Sequence, residues 1–192
     1  TNTTLNIDRL VIRQVLGNEQ VTWYYVTSLI GKTLVLLIAP INTIVISYLT
    51  KRKERLTRSQ YGKAALAGGI VSFVFFLACQ VGTPLFVWLF YRNLYDSVKG
   101  IVTVVNLAQI LGLYSAFLFI LVLTFTDERW QLGIQLAHFV ILLAVSIPAA
   151  KIYGLEGFAY ASLGANILRV AAVIILGLVK AQNGKESKDE YR

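Results

Sequence analysis

The chain has 192 residues, 56% of them hydrophobic, and a formal net charge of +8. A mean hydropathy of +0.65 excludes an ordinary soluble domain. The strand alternation of an outer-membrane barrel is absent, so any membrane spans are helices. The single cysteine, Cys79, excludes an intrachain disulfide.

No secretory signal pattern opens the chain, methionine is absent, and the sequence starts mid-pattern at Thr1. The expectation is the C-terminal part of a larger transporter. Residues 1–16 read as the end of a further helix. Successive residues turn by about 100°, which places Asn2, Asn6, Arg9 and Arg13 in one narrow sector. Leu5, Ile12 and Leu16 take the opposite side. Two arginines with an apolar back suit the wall of a water-filled cavity, where guanidinium matches phosphate oxygens bidentately. The same pattern suits an interfacial helix whose arginines snorkel to headgroups. Asp8 points a quarter-turn away, towards a cation on a neighbouring helix.

Five apolar runs follow, at about 21–50, 64–90, 101–125, 132–149 and 157–179. Each is long enough to cross a hydrocarbon core that takes about 20 helical residues. Lys32 lies deep in the first run, near Tyr25, Ser28 and Thr43. It reads as a second anion contact, as the partner of Asp8, or as half of a structural ion pair. Pro40 and Pro84 bend their helices, as hinges or as passive kinks. The 51–63 loop carries six basic residues against one glutamate, and the tail from Lys180 carries four more. Lys and Arg concentrate in cytoplasmic loops, so this loop, the 181–192 tail and the C-terminus are expected inside. Gly17–Gln20 and the side bearing Arg92, Lys99 and Lys151 are then outside. Small residues at helical spacing (Ala64, Gly68 and Ser72; Gly157, Ala161 and Ala165) make faces for close packing. Asn106 and Gln109 form a weaker polar pair. His138 is a proton relay or a hydrogen-bonded structural residue. Arg169, with Ser162 and Asn166 on its stripe, faces water or a neighbouring helix, and structural bonds to carbonyls or amides fit it equally.

Signals of a soluble enzyme are missing: there is no phosphate-cradling glycine loop, metal-ligand cluster or Ser-His-Asp set. Asp127 and Glu128 sit in a short loop. Transport is therefore favoured over catalysis, and no metal site is expected.

Several stretches carry a resemblance. Asn6-Ile7-Asp8-Arg9, the Leu16-Gly17 turn, Tyr24-Tyr25, Pro40 and the basic Lys51–Lys53 follow one another in LNIDRLVIRQVLGNEQVTWYYVTSLIGKTLVLLIAPINTIVISYLTKR. TPLFVWLFYRNLYDSV continues the pattern, with Tyr91 and Arg92 where glycine is usual. YGLEGFAYASLGANILRV closes it through Gly154, Gly157, Ala159, Ala161, Asn166 and Arg169. In order and spacing this resembles the C-terminal half of polysaccharide flippases, the O-antigen and capsule repeat-unit exporters of the MOP superfamily. The resemblance implies an all-α polytopic transmembrane bundle, the second lobe of a MATE-like/MOP flippase fold, over residues 1–180. It implies a multi-pass protein of the cytoplasmic (inner) membrane that moves polyprenyl-pyrophosphate-linked oligosaccharide outward for surface polysaccharide or lipopolysaccharide synthesis. Its partners would be the lipid-linked oligosaccharide, membrane lipids and the N-terminal lobe of the same protein, with no nucleic acid and no organic cofactor. Asn6, Asp8, Arg9, Arg13, Lys32 and Arg169 are the candidate cavity-lining residues. The rival readings are a multidrug or metabolite exporter, a peptidoglycan-precursor flippase, a membrane-embedded glycan-assembly enzyme and a non-transporting scaffold.

Overall fold

A computed structural model describes residues 7–50 and 56–181. Asn2, Leu5, Asn6, the basic residues 51–55 and the tail beyond 181 lie outside the described residues. Among those described, the chain is helical, with no sheet. Helix α1 spans Ile7–Leu16, α2 Asn18–Thr50 and α3 Arg58–Phe90. A 3-10 turn at Arg92–Leu94 leads into the short α4, Tyr95–Val98. Helix α5 is Val102–Leu123 and α6 is Glu128–Lys180.

Local chemistry sets these boundaries. Asp8 in the first turn and Arg13 in the last turn of α1 complement the helix dipole. Gly17, at φ 93°, ends α1 and turns the chain into α2. Helix α3 opens with a reciprocal cap. The Gln60 amide donates to Thr57 Oγ1 (3.3 Å) and the Thr57 amide donates to Gln60 Oε1 (3.2 Å). Helix α2 runs unbroken through Pro40, and α3 through Pro84.

The 53 residues of α6 are two antiparallel arms. Extended as one rod, they would reach about 80 Å. Instead Lys180 Nζ lies 5.4 Å from the centre of the Trp130 ring, and His138 in the first arm meets Asn166 and Arg169 in the second. The reversal is at Gly154, whose φ of 64° and ψ of −146° belong to glycine alone. Gly157 lies so close to Ala149 that a Cβ there would strike its carbonyl oxygen. The apolar runs at 132–149 and 157–179 occupy the two arms, and helical backbone replaces the loop expected between them.

Among the described residues three helices, Arg58–Phe90, Val102–Leu123 and the folded Arg129–Lys180, are long and apolar enough to cross a membrane. Helix α5 is the axis of the bundle, packed against α2, α3 and α6. Its buried side chains, from Val102 to Val122, lie on every side of the helix. Helix α3 is peripheral. Leu66, Ile70, Val74, Leu77, Val81 and Leu85 recur at steps of three and four residues and are all exposed. Such a stripe is poorly suited to water and well suited to lipid.

Contacts sort the helix ends into two groups. At one end Arg58 Nε donates to the Leu178 carbonyl (2.8 Å) and Tyr61 meets Phe125 edge-on at 5.9 Å. At the other, Ile12, Tyr24, Ile101, Ala150, Leu155 and Phe158 form one buried cluster. Small residues allow the close approaches: Gly68 lies under Phe117, and Gly177 lies against the Tyr61 ring, whose hydroxyl donates to the Val173 carbonyl (3.2 Å).

A glycine whose function is its backbone angle should tolerate no side chain. Gly154→Val should destabilise the full-length gene product by about 1–3 kcal/mol, read as thermal unfolding in detergent by tryptophan fluorescence. Gly177→Val should cost a similar ~1–3 kcal/mol through overpacking against Tyr61. Gly133→Ala, with open space around its Cβ, should be neutral or slightly stabilising.

Candidate functional site

The α1–α2 hairpin buries charge. Gly17 folds α1 back along α2, so residues early in α1 meet residues well into α2. Lys32 Nζ donates to Asp8 Oδ2 at 2.8 Å, and the two side chains retain only 15% and 14% exposure. Lys32 lies fourteen residues past the start of α2 at Asn18, a depth of about 20 Å. Of the readings open for Lys32, the structure places it as the partner of Asp8.

Aromatic and amide groups surround this pair. Lys32 Nζ lies 5.9 Å from the centre of the Tyr24 ring. The Tyr24 hydroxyl accepts from Gln109 Nε2 (3.4 Å), which brings α5 to the cluster. Tyr24, Ser28 and Lys32 follow one another at steps of four residues, which keeps them along one side of α2. Ser28 is buried and donates to the Tyr25 carbonyl (3.2 Å). The sequence pointed to Tyr25 beside Lys32, but Tyr24 takes that place. Tyr25 serves Arg9 instead, with the guanidinium carbon 4.3 Å from its ring centre.

Arg9 and Arg13 share a sector of α1 but not an environment. Arg9 is half-buried, and its Nε is enclosed without a hydrogen-bond partner. Arg13 is exposed. The reason is the hairpin: position 9 lies opposite Tyr25, whereas position 13 is close to the turn. The apolar back of α1 seats Ile12, fully buried, against Tyr24 and Phe158. Arg9 and Lys32 against the Asp8 carboxylate leave the cluster one positive charge in excess.

Arg169 belongs to a different interface. It projects from the second arm of α6 to α5, with its guanidinium carbon 5.3 Å from the centre of the Phe119 ring. On its stripe, Asn166 Nδ2 donates to the Ser162 carbonyl of its own helix (3.1 Å). Asn106 and Gln109, expected as a pair, diverge. Gln109 faces α2, and Asn106 is fully buried against α3. There it accepts from Thr83 Oγ1 (3.1 Å) and donates to the Cys79 carbonyl (3.1 Å). This clamp sits one turn before Pro84, where the proline has removed a helical donor. Cys79 is buried and packs with Ile110 and Leu113. At the bundle end, outside the spans, the exposed Lys99 ammonium donates to Asp96 at 2.8 Å, and this bond raises its pKa above the ordinary lysine value.

Among the described residues no three His, Cys, Asp or Glu side chains converge as a metal site. Compared with protein-family models, curated proteins and solved structures, the chain gave no match.

An ion pair enclosed between helices is costly to break from one side. Lys32→Ala should destabilise the protein by about 3–5 kcal/mol, because it leaves Asp8 charged and buried. The Asp8→Asn, Lys32→Gln double variant should recover most of that loss. A double-mutant cycle on detergent unfolding would read the difference.

Proposed function

We propose that this chain is the second lobe of a flippase that carries oligosaccharides on polyprenyl pyrophosphate across the cytoplasmic membrane, for surface polysaccharide synthesis. The observation that carries this reading is the excess positive charge deep in the bundle. Arg9 is eight residues and Lys32 fifteen residues from the Gly17 turn, about 12 and 22 Å along their helices, with one carboxylate held between them. Charge at such depth is costly, about 2.5–3.5 kcal/mol for a central Arg or Lys on insertion scales, and marks sites that face a cavity, a substrate or a partner. A pyrophosphate would offer Arg9 the bidentate acceptor that its enclosed Nε lacks. Asp8 is already engaged by Lys32, which fits an anionic cargo better than the cationic cargo of a drug exporter.

Orientation follows from charge. The end that holds Arg58, Lys63 and Lys180 adjoins the basic 51–55 segment, so it is the cytoplasmic end by the positive-inside rule, and the Gly17 and Gly154 turns face outward. The cargo enters on the cytoplasmic side. Rocking of this lobe against an N-terminal lobe then opens the site outward. The chain contributes binding, positioning and movement, and no bond-making chemistry.

Arg9→Ala should reduce surface glycan by at least about tenfold, the scale of a lost charge-assisted contact of ~1.5–3 kcal/mol, while membrane insertion stays normal. Arg9→Lys should recover part of the export. Quantifying surface polysaccharide in cells complemented with each variant checks this. Normal surface glycan with both Arg9 and Arg13 neutralised would overturn the assignment.

A further inference from the structure

The α5–α6 interface holds a second cationic site, Arg169 beside the imidazole of His138, which the flippase reading does not use. Arg169 lies fifteen residues past Gly154 and His138 sixteen residues before it, so the two arms bring them to the same level, about 23 Å from the turn. The Arg169 Nε and the His138 Nε2 are both buried without a hydrogen-bond partner. Asn166 stands beside His138, and the Phe119 ring covers one side of the guanidinium. An aromatic face attracts the cation but gives no acceptor for the in-plane Nε–H.

Among the described residues no carboxylate answers this charge: the salt bridges are Asp8–Lys32 and Asp96–Lys99. Glu156 is thirteen residues from Arg169, close to the turn, and Asp127 precedes the first arm. Headgroup phosphates are also too far. Arg169 is eleven residues from Lys180 at the other end, about 16 Å along the helix. A half-buried guanidinium with its Nε enclosed at that depth, and with no acid against it among the described residues, calls for an anion.

We propose that Arg169 and His138 form a binding site for a small monovalent inorganic anion, of halide size, between the arms of α6 and against α5. Arg169 supplies the charge and its Nε–H. His138 supplies a second donor in the form that carries a proton on Nε2. The size follows from the donors: two orphaned nitrogens suffice for a monatomic anion, whereas a pyrophosphate would ask for many more. The bound anion would neutralise Arg169 between the two arms of α6, and so hold them to α5. This site is independent of the Arg9–Lys32 cluster and stands whether or not the cargo is a lipid-linked oligosaccharide.

The test is thermal unfolding of the full-length gene product in detergent, with chloride exchanged for gluconate at constant ionic strength and pH. Chloride should raise the unfolding temperature saturably. Arg169→Gln should shift the chloride midpoint upward by at least tenfold, whereas Arg13→Gln, which removes an exposed cation, should leave it unchanged. A wild-type protein indifferent to chloride would overturn the site, as would Arg169→Gln with the wild-type midpoint. If Arg169→Gln fails to fold, His138→Asn takes its place: a tenfold shift supports the site, and an unchanged midpoint overturns it.

Discussion

Water is the partner that a polar group inside a bilayer cannot have, and most of this bundle's polar contacts answer that lack. Backbone groups are satisfied within helices, which is why α2, α3 and α5 continue for 22 to 33 residues. Side chains must find each other. Asn106 bonds to Thr83 and to the Cys79 carbonyl, Tyr114 donates to the Ala65 carbonyl (2.9 Å), and Tyr61 donates to the Val173 carbonyl. Each of these bonds joins two helices. In lipid, where apolar faces gain little from meeting one another, such bonds and close packing at small residues determine which helices become neighbours.

Helix α5 shows the result. It bears the amides of Asn106 and Gln109 and is enclosed by α2, α3 and α6. Helix α3 keeps its polar contacts on one side and turns leucine, isoleucine and valine outward on the other. The two helices have similar hydropathy, 2.0 and 2.1, so greasiness alone does not separate centre from periphery. The position of a few hydrogen-bonding groups does.

Much of the fold was legible in the residues. Apolar runs located the long helices, and the Asp8–Lys32 pairing was one of the options that the depth of Lys32 suggested. What stayed hidden shares one cause: a helical wheel gives an angle on one helix and says nothing of what stands opposite. It put Arg9 and Arg13 in one sector but could not foresee that Tyr25 would cover the first and solvent would reach the second. It placed Tyr25 near Lys32 because seven residues close two turns, yet the hairpin brought Tyr24 closer. It set Asn106 beside Gln109, although three residues of rotation were enough to send them to different neighbours. The reversal at Gly154 was readable as a break between two runs. Its sharpness, a single residue of non-helical backbone, was not.

That sharpness bears on how the two arms move and what can reach them. With no loop between the arms, the tip of α6 holds its exposed Lys151, Ile152 and Tyr153 in helical backbone and not in the extended segment that a protease cuts. A hinge one residue long leaves the two arms no slack to move apart. The position of one arm therefore fixes that of the other, and the two behave as one packing unit against α5.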